Sequence, residues 1–417
     1  MQTNNQTTMY VKKNKVDILF LLYWGVLVFW QNINPGQTGT MADTLIKLFL
    51  LVTLVIYYFM HVKISSQNLL LFVLYAVNML CSLFIEFSFS LRILLTYLYP
   101  VLIVFLTLVL GGNYQITKSQ LIRFSNGIIS IVLYAALYAC IIMPDKFIQA
   151  FHLSTAYGNE LTSFFISSHE YALYLLGGII SCVICLELNN FLSKPKKLFY
   201  VACIGLFLLN LILTFSRTFL IGTLCVFIIN AILNRKSKLA KLTWIGIICA
   251  IALIAFVPQI RNFVFNLVFK GNNLADRDDL TALTIRTFEK GSVMEKIWGQ
   301  GVTKTQALFK LETSHVSVHN AYLQTMLFFG VANLIPFIGF LLSCLRQSLK
   351  TIKMNVFVSV LCVSLNIACI VVMFFNTATV FNSTIDSFFL TMVTIVVPKY
   401  VINAVKKGTF DDMKGVA

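Results

Sequence analysis

One arginine stands inside an apolar run: Arg217, within "NLILTFSRTFLIGTLCVFIIN" (210–230), has no glycine, proline or acidic residue beside it. A guanidinium stays charged and presents a fork of donors suited to phosphate oxygens, so anion binding is one chemistry open to it. The plainer role is a snorkelling arginine that anchors a helix end to lipid headgroups. Further along, "LETSHVSVHNAYL" puts His315 and His319 one turn apart if helical. An imidazole, with a reference pKa of about 6.5, can act as a base or hydrogen-bond partner near neutral pH. As metal ligands the pair lacks a nearby acid or cysteine, so it makes a poor zinc set and no metal is expected.

The stretch before these histidines holds more candidates. Arg277 sits in "DRDD", where Asp276, Asp278 and Asp279 can satisfy it as an exposed ion-pair cluster. Arg286, in "TIRTFEKG", has no adjacent acid and is the freer guanidinium, although Glu289 is within one helical turn. "WGQG" supplies Gly299 and Gly301, which suit a tight turn or a close backbone approach to a ligand. Earlier, "DKFIQAFHLSTAYGNELTSFFISSHEYA" offers His152, Glu160, His169 and Glu170. His169 and Glu170 are candidate sugar contacts, with ordinary loop polarity as the plainer role.

Membrane helices must carry these residues. The chain has 417 residues, of which 58% are hydrophobic and 12% charged, with mean hydropathy +0.84, which is outside the range of soluble domains. Apolar runs long enough to cross a bilayer of roughly 30 Å recur throughout, and about twelve spans are expected. They are 16–30, 44–60, 68–85, 93–110, 127–143, 171–186, 199–215, 218–233, 242–257, 321–341, 356–375 and 388–405, the last interrupted by Pro398 and Lys399. The first run follows Lys12, Lys13 and Lys15 but lacks a small-residue cleavage site, so a retained helix is expected and not a signal peptide. The expectation is an all-α polytopic membrane protein forming a single membrane domain, 1–417.

Basic residues cluster in alternate short loops: Lys63; Lys118 and Arg123; Lys194, Lys196 and Lys197; Arg235, Lys236, Lys238 and Lys241; Arg346, Lys350 and Lys353. This positive-inside pattern puts both termini in the cytoplasm and accounts for the net charge of +16 without nucleic acid as a partner. The run 199–233 is too long for one span and has basic residues at both flanks, so it must be two spans with an outward turn. Ser216, Arg217 and Thr218 form its middle, at the outer surface, where an arginine costs far less than the roughly 2.5 to 3.5 kcal/mol of the bilayer centre. One outer loop is long, 258–320 between spans nine and ten, with enough apolar and aromatic residues to form short helices over the membrane face. All ten cysteines lie inside apolar runs, and the Cys182/Cys185 pair lacks the ligands of a zinc site and the exposure of a redox pair.

About a dozen spans, Ser-Arg-Thr at an outer helical hairpin, a long outer loop with arginine and G-x-G, and then His-Asn at the next helix: this order resembles the O-antigen ligase and polymerase family, including Wzy-type polymerases. The similarity covers mainly residues 171–340. It implies membrane-embedded glycosyl transfer on the outer face, with undecaprenyl diphosphate as the carrier of donor and acceptor oligosaccharides. It further implies that Arg217 in "TFSRTFLIG" contacts the diphosphate and that His319 in "SVHNAYL" is the essential histidine near the reacting sugar. Arg286 is the nearer match to the family's loop arginine, closer to Gly299 than the family spacing, and Arg277 is the other choice. Arg277, His315, Gly299, Gly301, His169 and Glu170 are then expected around the substrate. Membrane lipid, a chain-length regulator and a flippase of the same pathway are implied partners, with no cofactor.

The chemistry fits those residue types. Transfer from a lipid diphosphate builds negative charge on the leaving group, which fixed guanidinium groups stabilise most in the transition state. The attacking hydroxyl must lose a proton, which suits a neutral imidazole. A ligase of the same family would use the same carrier and differ in product. A flippase or transporter would instead show internal repeats and mid-membrane ionisable groups, whereas Lys47 and Glu187 lie near span ends.

Overall fold

The computed structural model describes residues 16–33, 66–86, 90–105, 115–151, 160–165, 167–189, 192–269, 274–313, 318–376 and 389–411, and a few positions between 45 and 56. Among them there are helices and turns and no strand. In order the helices are α1 (Val16–Ile33), α2 (Ser66–Ile85), α3 (Leu91–Val104), α4 (Lys118–Ile141), α5 (Pro144–Phe151), α6 (Ser168–Leu188), α7 (Lys194–Leu213), α8 (Arg217–Leu233) and α9 (Lys238–Phe256). Then come α10 (Pro258–Phe269), α11 (Leu274–Lys290), α12 (Val293–Trp298), α13 (Val302–Thr313), α14 (Ala321–Phe329), α15 (Val331–Lys350), α16 (Val356–Phe375) and α17 (Phe389–Lys406). Most of the expected span 44–60 lies outside the described residues.

The helices start where polar side chains can satisfy first-turn N–H groups. Thr117 and Gln120 make a reciprocal capping box at α4, while Ser237 and Asn355 cap α9 and α16. Helices α6, α16 and α17 are central, buried on nearly every side, and α4, α7, α8 and α15 surround them with one face inward. The α17 interior contains Pro398, which has no N–H to give the carbonyl four residues earlier. That carbonyl, of Thr394, accepts from Asn366 Nδ2 of α16 at 2.7 Å instead, and residues Met392–Val396 take π-helical form. The interruption expected at Pro398 is thus absorbed inside one continuous helix.

The largest departure from expectation is at 321–341. This apolar stretch was expected as one span, but α14 ends at Phe329, Gly330 takes φ 76° and ψ 176°, and α15 begins at Val331. The rings of Tyr322 and Phe337 are 5.9 Å apart between centroids, whereas one continuous helix would hold them about 22 Å apart. So α14 folds back along the first half of α15. Two side chains and a backbone amide satisfy the carbonyls exposed by the break: Gln300 N–H donates to Leu327 O at 2.7 Å, and Ser82 Oγ and Asn333 Nδ2 donate to Phe329 O at 3.1 and 2.7 Å. Just beyond it, Asn78 Nδ2 donates at 3.3 Å to Ala332 O, the carbonyl that Pro336, lacking an N–H, leaves without a helical partner. Non-helical backbone within an apolar bundle needs such internal partners.

Candidate functional site

Three helices begin at one end of the bundle, close to where α16 finishes. The turn between α7 and α8 is tight: Thr214, Phe215 with φ 52°, Ser216, then Arg217 as the first residue of α8. Thr218 Oγ1 donates to Phe375 O at 3.4 Å, which ties the start of α8 to the last turn of α16. From the other side, Tyr322 O–H donates to Ile370 O at 3.1 Å, and its ring lies 4.6 Å from that of Phe374. The first turns of α8 and α14, and with them Arg217 and His319, are therefore attached to the same last two turns of α16. Both of these side chains are half-buried.

His319 itself has φ 55°, a left-handed conformation that costs a non-glycine residue of order 1 kcal/mol or more. The neighbouring Asn320 holds it there: Asn320 Oδ1 accepts from the N–H groups of Tyr322 and Leu323 at 3.0 and 3.1 Å, which fixes where α14 starts. The His-Asn pair thus divides the work, with asparagine as cap and histidine turned out of the helix. Positive φ at Ser163, Phe215 and His319 accounts for all the non-glycine cases among the described residues. Ser163 belongs to the same end, because Leu161 N–H donates to Leu213 O at 3.1 Å.

His169, in the first turn of α6, contributes a contact that sequence could not supply. Its Nδ1 is 2.7 Å from Ser216 Oγ. Ser216 is the N-cap residue of α8, yet its side chain makes no capping hydrogen bond to that helix. The side chain that would normally satisfy an α8 N–H is engaged by His169, and the positive end of α8 carries Arg217 alongside. Glu160 Oε2 accepts from Ser168 Oγ at 2.6 Å, and the Glu170 N–H donates to Ser167 Oγ at 3.1 Å. His152 and His315 lie outside the described residues, as does the side chain of Arg277.

Arg286 is exposed on α11. Gln300 connects its neighbour to the Gly330 turn, since Gln300 Nε2 donates to Thr287 O at 2.8 Å while its backbone N–H reaches Leu327 O. Arg286 accordingly sits by the far end of α14, roughly 12 Å along that helix from His319. Gly299 has φ 91°, and a Cβ there would fall 2.2 Å from Phe328 O; a Cβ on Gly330 would fall 2.1 Å from Ile297 O. The close backbone approach made by Gly299 is therefore to the chain's own turn, while a Cβ on Gly301, with φ 81°, would fall 3.0 Å from Glu86 Oε2.

Glu86, to which no motif points, anchors the next element. It is 4% exposed, just beyond α2, and its Oε2 accepts from Val302 N–H at 2.6 Å, Thr303 N–H at 3.2 Å and Tyr97 O–H at 3.4 Å. A carboxylate thus sits on the positive end of α13. A second clasp joins α12 and α13, where Lys304 bonds Glu295 and holds its carboxyl below the ordinary value. Replacing Glu86 with glutamine turns an N–H donor group toward other N–H groups and removes charge-assisted bonds of about 1.5–3 kcal/mol each. Trypsin is expected to cut after Lys304 and Lys310 about tenfold faster in that variant as α13 opens more often. An unchanged rate would mean that Glu86 does not hold this helix.

Among the described residues no three His, Cys, Asp or Glu side chains converge as a metal set, and the ten cysteines are free thiols. No protein-family model matches the chain, and no curated protein matches it. What the fold defines is an all-α membrane protein: six described helices are long and apolar enough to cross a bilayer, with shorter apolar ones beside them. Large apolar side chains such as Leu242, Ile248 and Phe256 are 65%, 64% and 84% exposed on α9, a face suited to lipid.

Proposed function

We propose that this protein is a membrane glycosyltransferase that polymerises undecaprenyl-diphosphate-linked oligosaccharide repeats into a surface polysaccharide. In this reading about twelve spans cross the cytoplasmic membrane, both termini are cytoplasmic, and the end carrying Arg217 and His319 faces outward beneath α10 to α13. A chain-length regulator and a flippase would be its partners. The observation that supports it best is the attachment of the first turns of α8 and α14 to one end of α16, which puts a guanidinium and an imidazole at the same end of the bundle.

The chemistry follows from those two groups. The bond between the anomeric carbon and the diphosphate oxygen breaks, and its electron pair moves onto the lipid diphosphate. Arg217, at the positive end of α8, stabilises that growing charge. A hydroxyl of the acceptor repeat forms the new bond to the anomeric carbon, and His319 takes its proton. No nucleotide sugar and no metal enters this exchange.

The test uses purified wild type, Arg217→Ala and His319→Ala, each checked for folding, with lipid-linked repeats and no nucleotide sugar. A ladder of products from the wild type that is lost in both variants is the expected result. A ladder that survives in both would return the two residues to lipid anchoring and packing. If the wild type joins a finished polymer once to another acceptor and makes no ladder, the protein is a ligase.

A further inference from the structure

The opposite end of the bundle carries positive charge that the reaction does not use. Between 331 and 412 the sequence has Arg346, Lys350, Lys353, Lys399, Lys406 and Lys407 against Asp386 and Asp412, which lie outside the described residues, and Asp411, which lines a different cleft with Lys118 and Lys236. Helices α15 and α17 pack together there. Lys399 reaches from α17 to bond Gln347 Oε1 on α15, at a narrow cleft lined by Cys344, Ser348, Asn366, Ile395 and Ile402. Lys350 ends α15 and Lys406 ends α17, both exposed.

These lysines follow one another along the contact: Lys350 lies about one turn past Gln347, the partner of Lys399, and Lys406 lies about two turns past Lys399 on α17. None of the three has a carboxylate partner among the described residues. Like charges gathered at the rim of a low-dielectric bundle repel one another unless an anion sits between them. The helix C-termini that end in Lys350 and Lys406 offset part of this, but only within their own last turns. On α15 the exposed Leu342 and Leu349 share a face with Arg346, so apolar surface runs directly into the basic rim.

We propose that Lys350, Lys399 and Lys406 bind the phosphate of an anionic phospholipid headgroup in the leaflet at this end of the bundle, with acyl chains along the Leu342/Leu349 face. The positive-inside rule accounts for basic loops in general, but it does not require a lysine inside the α15/α17 contact. Basic pockets between membrane helices recognise lipid phosphates by this arrangement of charge and apolar wall.

The full chain, purified in detergent, would be titrated with phosphatidylglycerol, with phosphatidylcholine and with inorganic phosphate, reading bound lipid by native mass spectrometry and thermal stability together. Wild type is expected to retain phosphatidylglycerol selectively. The triple variant Lys350→Gln, Lys399→Gln, Lys406→Gln is expected to lose about tenfold in that affinity, and a control triple of Lys194→Gln, Lys196→Gln, Lys197→Gln to keep it. The single Lys406→Gln, which leaves the Lys399 contact intact, is expected to lose a smaller share and covers the case in which the triple fails to fold. Equal retention by wild type and both Lys406 variants would overturn the proposal. So would equal losses in the control triple, or protection by inorganic phosphate as strong as by the lipid, which would assign the site to a soluble anion.

Discussion

Gly330→Ala is expected to destabilise the protein by about 3 kcal/mol or more and to free the α12/α13 segment from the bundle. Two effects add. Gly330 has φ 76° and ψ 176°, a region closed to residues with a Cβ at a cost of order 1–3 kcal/mol. The new methyl would also lie 2.1 Å from Ile297 O and 2.5 Å from the backbone nitrogen of Gly299, and neither backbone atom can rotate away. The measurement is thermal unfolding in detergent alongside tryptic cleavage of 292–313. Gly339→Ala on the same helix is the control, because a Cβ there meets nothing within 4 Å. Equal melting of the two variants would show that the fold-back at Gly330 does not depend on this contact.

Arg217→Lys separates the two roles open to this arginine. As a lipid anchor, lysine serves as well, since both side chains snorkel and both stay charged. As a diphosphate ligand it does not, because the fork of parallel donors becomes a single point charge. Under the proposed function, Arg217→Ala is expected to slow transfer by about 10²–10³-fold, in line with the loss of one strong donor to a developing anion. Arg217→Lys should recover only part of that, with the loss in kcat and not in KM. Full recovery by lysine would leave anchoring as the role of Arg217.

How much of this end of the bundle was legible beforehand depended on whether the signal was local. The break at Ser216 could be read because the apolar run 199–233 is too long for one bilayer crossing and has basic flanks. The break at Gly330 could not, because 321–341 has the length and apolarity of an ordinary span and a lone glycine is tolerated in helices. Its cause is tertiary: α12 wedges its end against the turn. Gly299 and Gly301 suit a close backbone approach, but pattern alone cannot tell a ligand from another part of the chain. His169 was visible as a polar residue, while its bond to Ser216 joins positions far apart in sequence. Glu86 gave no signal at all, since its partners at Val302 and Thr303 are backbone N–H groups that any residue there would supply.

The two glycines that face each other across the turn set a limit on how this region can vary. A Cβ on either would strike main chain beside the other: Phe328 O for Gly299 and Ile297 O for Gly330. Most packed contacts can drift, because a larger residue on one side can be met by a smaller one opposite. Here the obstacle on each side is main chain, which no substitution makes smaller. No second substitution at the contact can make room for a first, so over evolutionary time α12 can be remodelled or lost as a unit, but this point of contact has no stepwise alternative.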